Sequence, residues 1–98
     1  MKVTILRPAE EDLEEGYRFY DAQSPGLGSY FLDSLYSDID SLAYFAGIHP
    51  LVFGFHRLLS KRFPFAIYYR IMDDIATVFA VLDCRRDPNW IRDRLMKG

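Results

Sequence analysis

Six basic residues in the second half of the chain are the groups best placed to do chemistry: Arg57, Lys61, Arg62, Arg70, Arg85 and Arg86. No acid interrupts the stretch from His56 to Met72. If the strands that carry them are neighbours, these charges are expected to converge on one sheet surface, where guanidinium forks hold phosphate or carboxylate oxygens in pairs and Tyr68 offers a ring on which a base can stack. The alternative is that some of these cations pair with acids of the first half. Other combinations carry less. Gly26-Leu27-Gly28 resembles the start of a dinucleotide fingerprint, but Phe31 replaces the third Gly and no strand precedes it, so it reads as a turn between helices. His49 and His56 are separated by Pro50 and Gly54, a poor spacing for metal ligation. Asp73-Asp74 reads as a turn, and no Ser-His-Asp pattern emerges. Cys84 is alone, which excludes an internal disulfide and a four-Cys metal site. A lone thiol suits a reducing compartment, and its apolar surroundings place it in the core.

The elements that must position these residues follow from periodicity. Val3–Leu6 reads as a short strand. Pro8 opens a helix over 8–22, with Glu10, Glu11 and Asp12 at the positive end of its dipole and Ala9, Leu13, Tyr17 and Tyr20 at helical spacing. Ser24-Pro25-Gly26-Leu27-Gly28 ends it. A second helix, Ser29 to Phe45, carries the stripe Phe31, Leu35, Ile39 and Leu42, and the short connection makes an αα-hairpin. Gly47 through Gly54 reads as a loop. His56–Phe63 and Phe65–Met72 read as strands, the second alternating Phe65, Ile67, Tyr69 and Ile71 against Ala66, Tyr68 and Arg70. Asp73 and Asp74 turn the chain into Ile75–Leu82, which is apolar on both faces and so central. Asp87 caps and Pro88 opens a C-terminal helix, docked by Trp90, Ile91 and Leu95 with Arg92 and Arg94 outward. The fold class is α+β: an N-terminal strand, an αα-hairpin, a mostly antiparallel three-stranded meander completing the sheet and a short C-terminal helix (β-α-α-β-β-β-α). The helices are expected on one face.

Ninety-eight residues make one domain, which buries roughly 65% of its unfolded surface. Half the residues are hydrophobic and 27% charged, a globular composition. The net charge of −2 argues at face value against a nucleic-acid binder, but it averages two unlike halves. Residues 1–49 hold three bases against nine acids, net −6, and residues 50–98 hold nine bases against five acids, net +4. The start of the chain has no apolar signal-peptide centre, and the charge-free stretch Ser41–His56 is too short and too broken to span a membrane.

Phe63-Pro64-Phe65-Ala66-Ile67-Tyr68-Tyr69-Arg70, with Val78-Phe79-Ala80-Val81-Leu82-Asp83-Cys84-Arg85-Arg86-Asp87-Pro88 and Trp90, resembles the RelE/ParE family of toxins from bacterial type II toxin–antitoxin systems. The first half fits too, through Ala9, Leu13 and Tyr17, the Pro-Gly-Leu-Gly turn, and Phe31, Leu35 and Ile39. The resemblance implies one toxin domain over 1–98: a cytoplasmic growth inhibitor, without cofactor or metal, silenced by a cognate antitoxin in a hetero-oligomer. Two branches carry different activities. A RelE-like chain is a ribosome-dependent mRNA endonuclease, for which the candidate catalytic residues are Lys61, Tyr68, Arg70, Asp83, Arg85 and Arg86, with Lys61, His56 or Asp83 as base and Tyr68 as acid, since Arg does not deprotonate. A ParE-like chain is not an enzyme but inhibits DNA gyrase, for which Arg57, Arg62, Arg85, Arg86 and Trp90 are the candidate target-binding residues. Asp83 stands where family members often carry His, no Tyr follows Tyr69, and the acidic pI suits a phosphate-dense ribosome poorly. The ParE-like branch is therefore favoured, the alternatives being the endonuclease and an inert antitoxin-binding module. Eight Phe, seven Tyr and one Trp exceed what a core of this size needs, so an exposed apolar groove for the antitoxin is expected on the two helices or the sheet edge.

Overall fold

The computed structural model describes residues 1–97. Strand β1 (Lys2–Ile5) leads into helix α1 (Arg7–Gln23), whose buried face is Ala9, Leu13, Gly16 and Tyr20. Pro8 lies in the first turn, where its missing N–H costs nothing. Asp21 Oδ1 accepts the N–H groups of Gly26 (2.9 Å) and Gly28 (3.2 Å), and so ties the end of α1 to the start of α2 (Leu27–Asp40). The Gly-Leu-Gly segment is thus the turn and first residues of a helix pair. The two helices cross at glycine. A Cβ on Gly16 would lie 2.5 Å from the Phe31 ring, and one on Gly28 would lie 2.6 Å from the Tyr17 carbonyl oxygen.

The second helix is shorter than its apolar stripe predicts. It stops at Asp40, and after Ser41 a separate turn of helix, α3 (Leu42–Phe45), begins. The Ser41 hydroxyl donates to the Asp38 carbonyl at 2.6 Å, a local bond that competes with the helical ladder.

The sheet has five strands in the order β1-β5-β4-β3-β2. They are β2 (Leu51–Val52), β3 (Phe55–Leu59), β4 (Phe65–Met72) and β5 (Ile75–Asp83), with β1 parallel to β5 and every other pairing antiparallel. The stretch expected as a loop thus contains β2, turned back onto β3 through Phe53 and Gly54, both at positive φ. Asp73 and Asp74 also take positive φ, 51° and 61°, as a two-residue hairpin of this hand requires.

Two expectations are corrected. β3 ends at Leu59, so Lys61 and Arg62 lie in the following loop, not on the strand. The buried Asp38 carboxylate holds that loop to α2, accepting the Ser60 hydroxyl at 2.7 Å and the Lys61 N–H at 3.4 Å, while Pro64 has no N–H to continue a ladder. The helices also do not share one face. α1, α2 and α3 cover Phe65, Ile67, Tyr69, Val78 and Val81, whereas α4 (Pro88–Lys97) covers Ala66, Tyr68, Ala80 and Leu82 from the other side through Ile91 and Leu95. β4 and β5 are apolar on both faces, and a single helical layer leaves one of those faces wet.

The helix crossing yields a test. Gly28→Ala forces a methyl onto backbone and lowers stability by about 1–3 kcal/mol, measured as an earlier midpoint in denaturant unfolding.

Candidate functional site

The site begins where β1 stops. β1 pairs with β5 only along Ile75–Val78, and the Leu6 N–H closes that run on the Val78 carbonyl at 3.0 Å. Beyond it the edge of β5 has no strand beside it. Asp12, from the first half of α1, fills the gap: its Oδ2 accepts the Val81 N–H at 3.0 Å. Arg94 from α4 then grips the same carboxylate with both terminal nitrogens, at 2.7 and 2.8 Å. Asp12 is nearly buried, with 10% side-chain exposure. Burial pushes its carboxyl above the ordinary value, and Arg94 and the Val81 N–H pull it back. Arg94, expected to point outward, is instead the clamp between α4 and α1.

Around this clamp lies a cleft of about 250 Å³ between α1 and α4, with the end of β5 as its floor. Its walls include Glu15 and Phe19 from α1 and Arg86 and Trp90 from the α4 side. The Arg86 guanidinium lies 4.0 Å from the Trp90 ring centre, a cation–π contact that leaves its N–H edges available. Phe19 is 54% and Trp90 38% exposed. Trp90 therefore forms a cleft wall and does not sit under its helix as a docking residue.

The Arg85–Arg86 pair is split. Arg85 turns back on Asp83, donating from Nε at 3.0 Å and from Nη2 at 2.7 Å, while its backbone N–H adds a third bond at 2.8 Å. The guanidinium holds the Asp83 carboxyl below its ordinary range, which makes Asp83 a weak proton acceptor. Asp83 in turn raises the pKa of Arg85.

Arg57, Tyr68 and Arg70 share the α4 face of the sheet. Arg57 is the register partner of Tyr68, and the Arg70 guanidinium lies over the Phe55 ring at 3.8 Å and donates from Nε to the Gly54 carbonyl at 3.2 Å. One expectation fails here. Tyr68 is 2% exposed, so no base can stack on it; burial raises its pKa, and Arg57 opposes that shift. The convergence expected of the six cations is partial: Arg85 is spent on Asp83, while Lys61 and Arg62 stand in the loop after β3, whose Pro64 carbonyl accepts the Cys84 N–H at 2.8 Å beside the turn of Arg85 and Arg86. The Arg57 Nε is buried without a partner.

The remaining candidates have structural partners. Tyr69 accepts the Gly47 N–H at 2.8 Å and donates to His49 Nδ1. His56 stacks on Tyr69 with ring centres 5.1 Å apart and donates from Nδ1 to the His49 carbonyl at 2.8 Å. Cys84 is exposed in the turn after β5, not in the core, and desolvation by its neighbours pushes the thiol up. Among the described residues no three His, Cys, Asp or Glu side chains gather as a metal site, and no helix is long and apolar enough to cross a membrane.

The sequence missed Phe19, Glu15 and the Asp12–Arg94 clamp. Phe19 carried a usable signal, an aromatic off the stripe of Ala9, Leu13 and Tyr20. The clamp joins residues at opposite ends of the chain and carried none.

The fold is similar to that of a chain in the solved structure described as "Chromosomal ParDE TA system from P. aeruginosa". The TM-score is 0.75 and the identity 21%, and the match covers 83% of this chain and 92% of that one. At that identity the likeness is one of fold. No family model matches the sequence, and no curated protein does.

Two outcomes test the site's electrostatics. Arg94→Ala leaves the Asp12 charge uncompensated and costs roughly 3 kcal/mol, read by chemical denaturation, with α4 the first element to lose hydrogen-exchange protection. The Asp83 carboxyl is held below its unfolded value of 3.8. Its contribution is therefore complete above that value and is lost as pH falls through the lower, folded one. The melting-temperature gap between the wild type and Asp83→Asn is widest near neutrality and closes below pH 3.8.

Proposed function

We propose that this protein is the toxin of a type II toxin–antitoxin pair, that it arrests growth by inhibiting DNA gyrase, and that a cognate antitoxin silences it in the cytoplasm. The observation that carries the toxin reading is the fold, which over most of both chains follows one found in a ParDE TA system, together with the motifs around Phe63–Arg70 and Asp83–Pro88 that resemble RelE/ParE toxins.

Support for gyrase over RNA as the target comes from the state of the acid–base candidates. Metal-free cleavage through a 2′-hydroxyl needs a base and an acid near a stabilised phosphate. Asp83 is held ionised and occupied by Arg85, Tyr68 is buried, and His56, stacked on Tyr69, is on the opposite face of the sheet from Arg57 and Tyr68. Lys61 stands exposed in a loop anchored to α2. A protein target requires only a surface. The α1–α4 cleft supplies one, with two aromatic walls and Arg86 presented on Trp90, and Arg and Trp are the residue types that dominate binding energy at interfaces. In this reading the antitoxin covers the same cleft, seating an apolar side chain between Phe19 and Trp90, so that silencing is competition for one surface.

Induction of the protein alone in a bacterial host arrests growth and provokes a DNA-damage response, and the purified protein blocks supercoiling by gyrase. Trp90→Ala and Arg86→Ala each weaken that block by roughly tenfold or more with the far-ultraviolet spectrum unchanged. Arrest with intact supercoiling and cut messages overturns the gyrase reading in favour of the endonuclease. No arrest at all leaves the inert module.

A further inference from the structure

Residues 46–50 join α3, which packs against β1, to β2, the strand at the opposite edge of the sheet. They therefore cross the helix-covered face as a strap, over the hairpin end of β4. Ala46 packs against the core. Gly47, at φ 98°, lies so near β4 that a Cβ there would sit 3.2 Å from Ile71 Cδ1.

Backbone bonds fasten the two ends of the strap. The Ala46 N–H donates to the Leu42 carbonyl at 3.2 Å, and the Arg57 N–H to the Pro50 carbonyl at 2.9 Å. Between them the hold depends on one phenol and two imidazoles. The fully buried Tyr69 hydroxyl accepts the Gly47 N–H at 2.8 Å and donates to His49 Nδ1. His56 donates from Nδ1 to the His49 carbonyl at 2.8 Å and stacks on the Tyr69 ring.

This arrangement admits one protonation state of His49. Tyr69 has a single hydrogen to give, and burial raises its phenol pKa, so the hydrogen stays. His49 Nδ1 must then be bare. A proton there turns the acceptor into a second donor. The Tyr69 O–H is left without a partner in the core, and the new cation stands beside His56.

No carboxylate compensates that charge. From Ser41 to His56 the chain holds no Asp, Glu, Lys or Arg. The Met1 ammonium is held on the Ala43 carbonyl of α3, and Asp38 of α2 is taken by Ser60 and Lys61. Arg57 of β3 and Arg70 of β4 lie on the other face, with Tyr68 and Phe55. β5 brings Ala76 and Val78 to this face. Lys2 of β1, Asp40 at the end of α2, and Asp73 and Asp74 in the hairpin are exposed. Among the described residues none of these charges pairs with either imidazole.

We propose that residues 46–52 form an acid-released strap: protonation of His49 beside His56 breaks its bond to Tyr69, and the strap lifts from β4 while the rest of the fold stays closed. Release uncovers Tyr69 and leaves the edge of β3, which β2 covers, free to pair. Burial, and after it the nearness of His56, hold His49 below its ordinary value of 6.5. The strap's hold is therefore complete above that pH and is lost as pH falls through the lower, folded value. The strap shares no residue with the α1–α4 cleft, so the proposal is independent of the toxin reading.

Hydrogen exchange at about pH 7.5 and about pH 5, on either side of the histidine range and corrected for the intrinsic rate, tests it. Amides of 46–52 lose protection by roughly tenfold or more at the lower pH, while those of α1 and β5 keep theirs. His49→Asn keeps an oxygen acceptor near the Nδ1 position without titrating, and its strap does not respond to pH. Strap protection that is the same at both pH values in the wild type overturns the proposal, as does a His49→Asn chain that still loses it in acid. Equal loss in α1 and β5 also overturns it, since acid then unfolds the whole molecule. Nuclear magnetic resonance of the wild type gives a reading free of any variant: the His49 ring titrates below 6.5, and a midpoint at or above that value overturns the proposal.

Discussion

The Asp12 carboxylate decides how this molecule closes. β1 is too short to border the whole of β5, so the Val81 N–H is left facing the gap beyond it. A buried amide without a partner costs about as much as a lost hydrogen bond. Asp12 satisfies it from α1 and in doing so brings a negative charge under cover, which needs a cation; Arg94 supplies it from α4. One unsatisfied edge thus draws together a strand, the first helix and the last. It fixes where α4 crosses the sheet edge, and thereby the separation between Phe19 and the Arg86–Trp90 pair that bounds the cleft.

The two-sided sheet follows from the same economy. β4 and β5 carry apolar residues on both faces, and the helical pair covers only one. α4 closes the other with Ile91 and Leu95 alone, a thin layer that depends on the Asp12–Arg94 grip to stay in place. Toward β3 and the end of β4 that layer gives out, and arginine stems take over. Arg70 lies flat on Phe55, and Arg57 runs beside Tyr68. Amphipathic side chains of this kind cover apolar surface while keeping charge near water.

Local signals made much of this legible in the sequence. Proline at the start of α1 and α4, the apolar stripes of both long helices, the alternation in β4 and the Asp-Asp hairpin all record short-range chemistry, and the α+β element order followed from them. What escaped was set by distance or by sequence-poor turns. β2 exists because Phe53 accepts a left-handed conformation before Gly54, and no Asn-Gly announces it. The end of β3 at Leu59 depends on Asp38 reaching from α2 to Ser60. The basic run was legible as residues, but not how many of them are free. Strand positions give the face of Arg57 and Arg70, but whether an arginine is free is decided by which carboxylate stands near it, and Asp83 claims Arg85 from two residues away.

That distinction between charge present and charge available bears on what the protein binds. The second half carries net +4, yet Arg85 and Arg94 are held by carboxylates and Arg70 lies on an aromatic ring. A polyanion gains affinity by adding phosphate contacts, so each cation held by a carboxylate is one contact fewer. A protein partner gains instead from desolvating a few well-shaped anchors. Phe19, Trp90 and Arg86 line the cleft in a form that suits that role under the proposed function. In the cleft, Arg86 and Glu15 set charge beside the aromatic walls, so a partner seated there would have to match both.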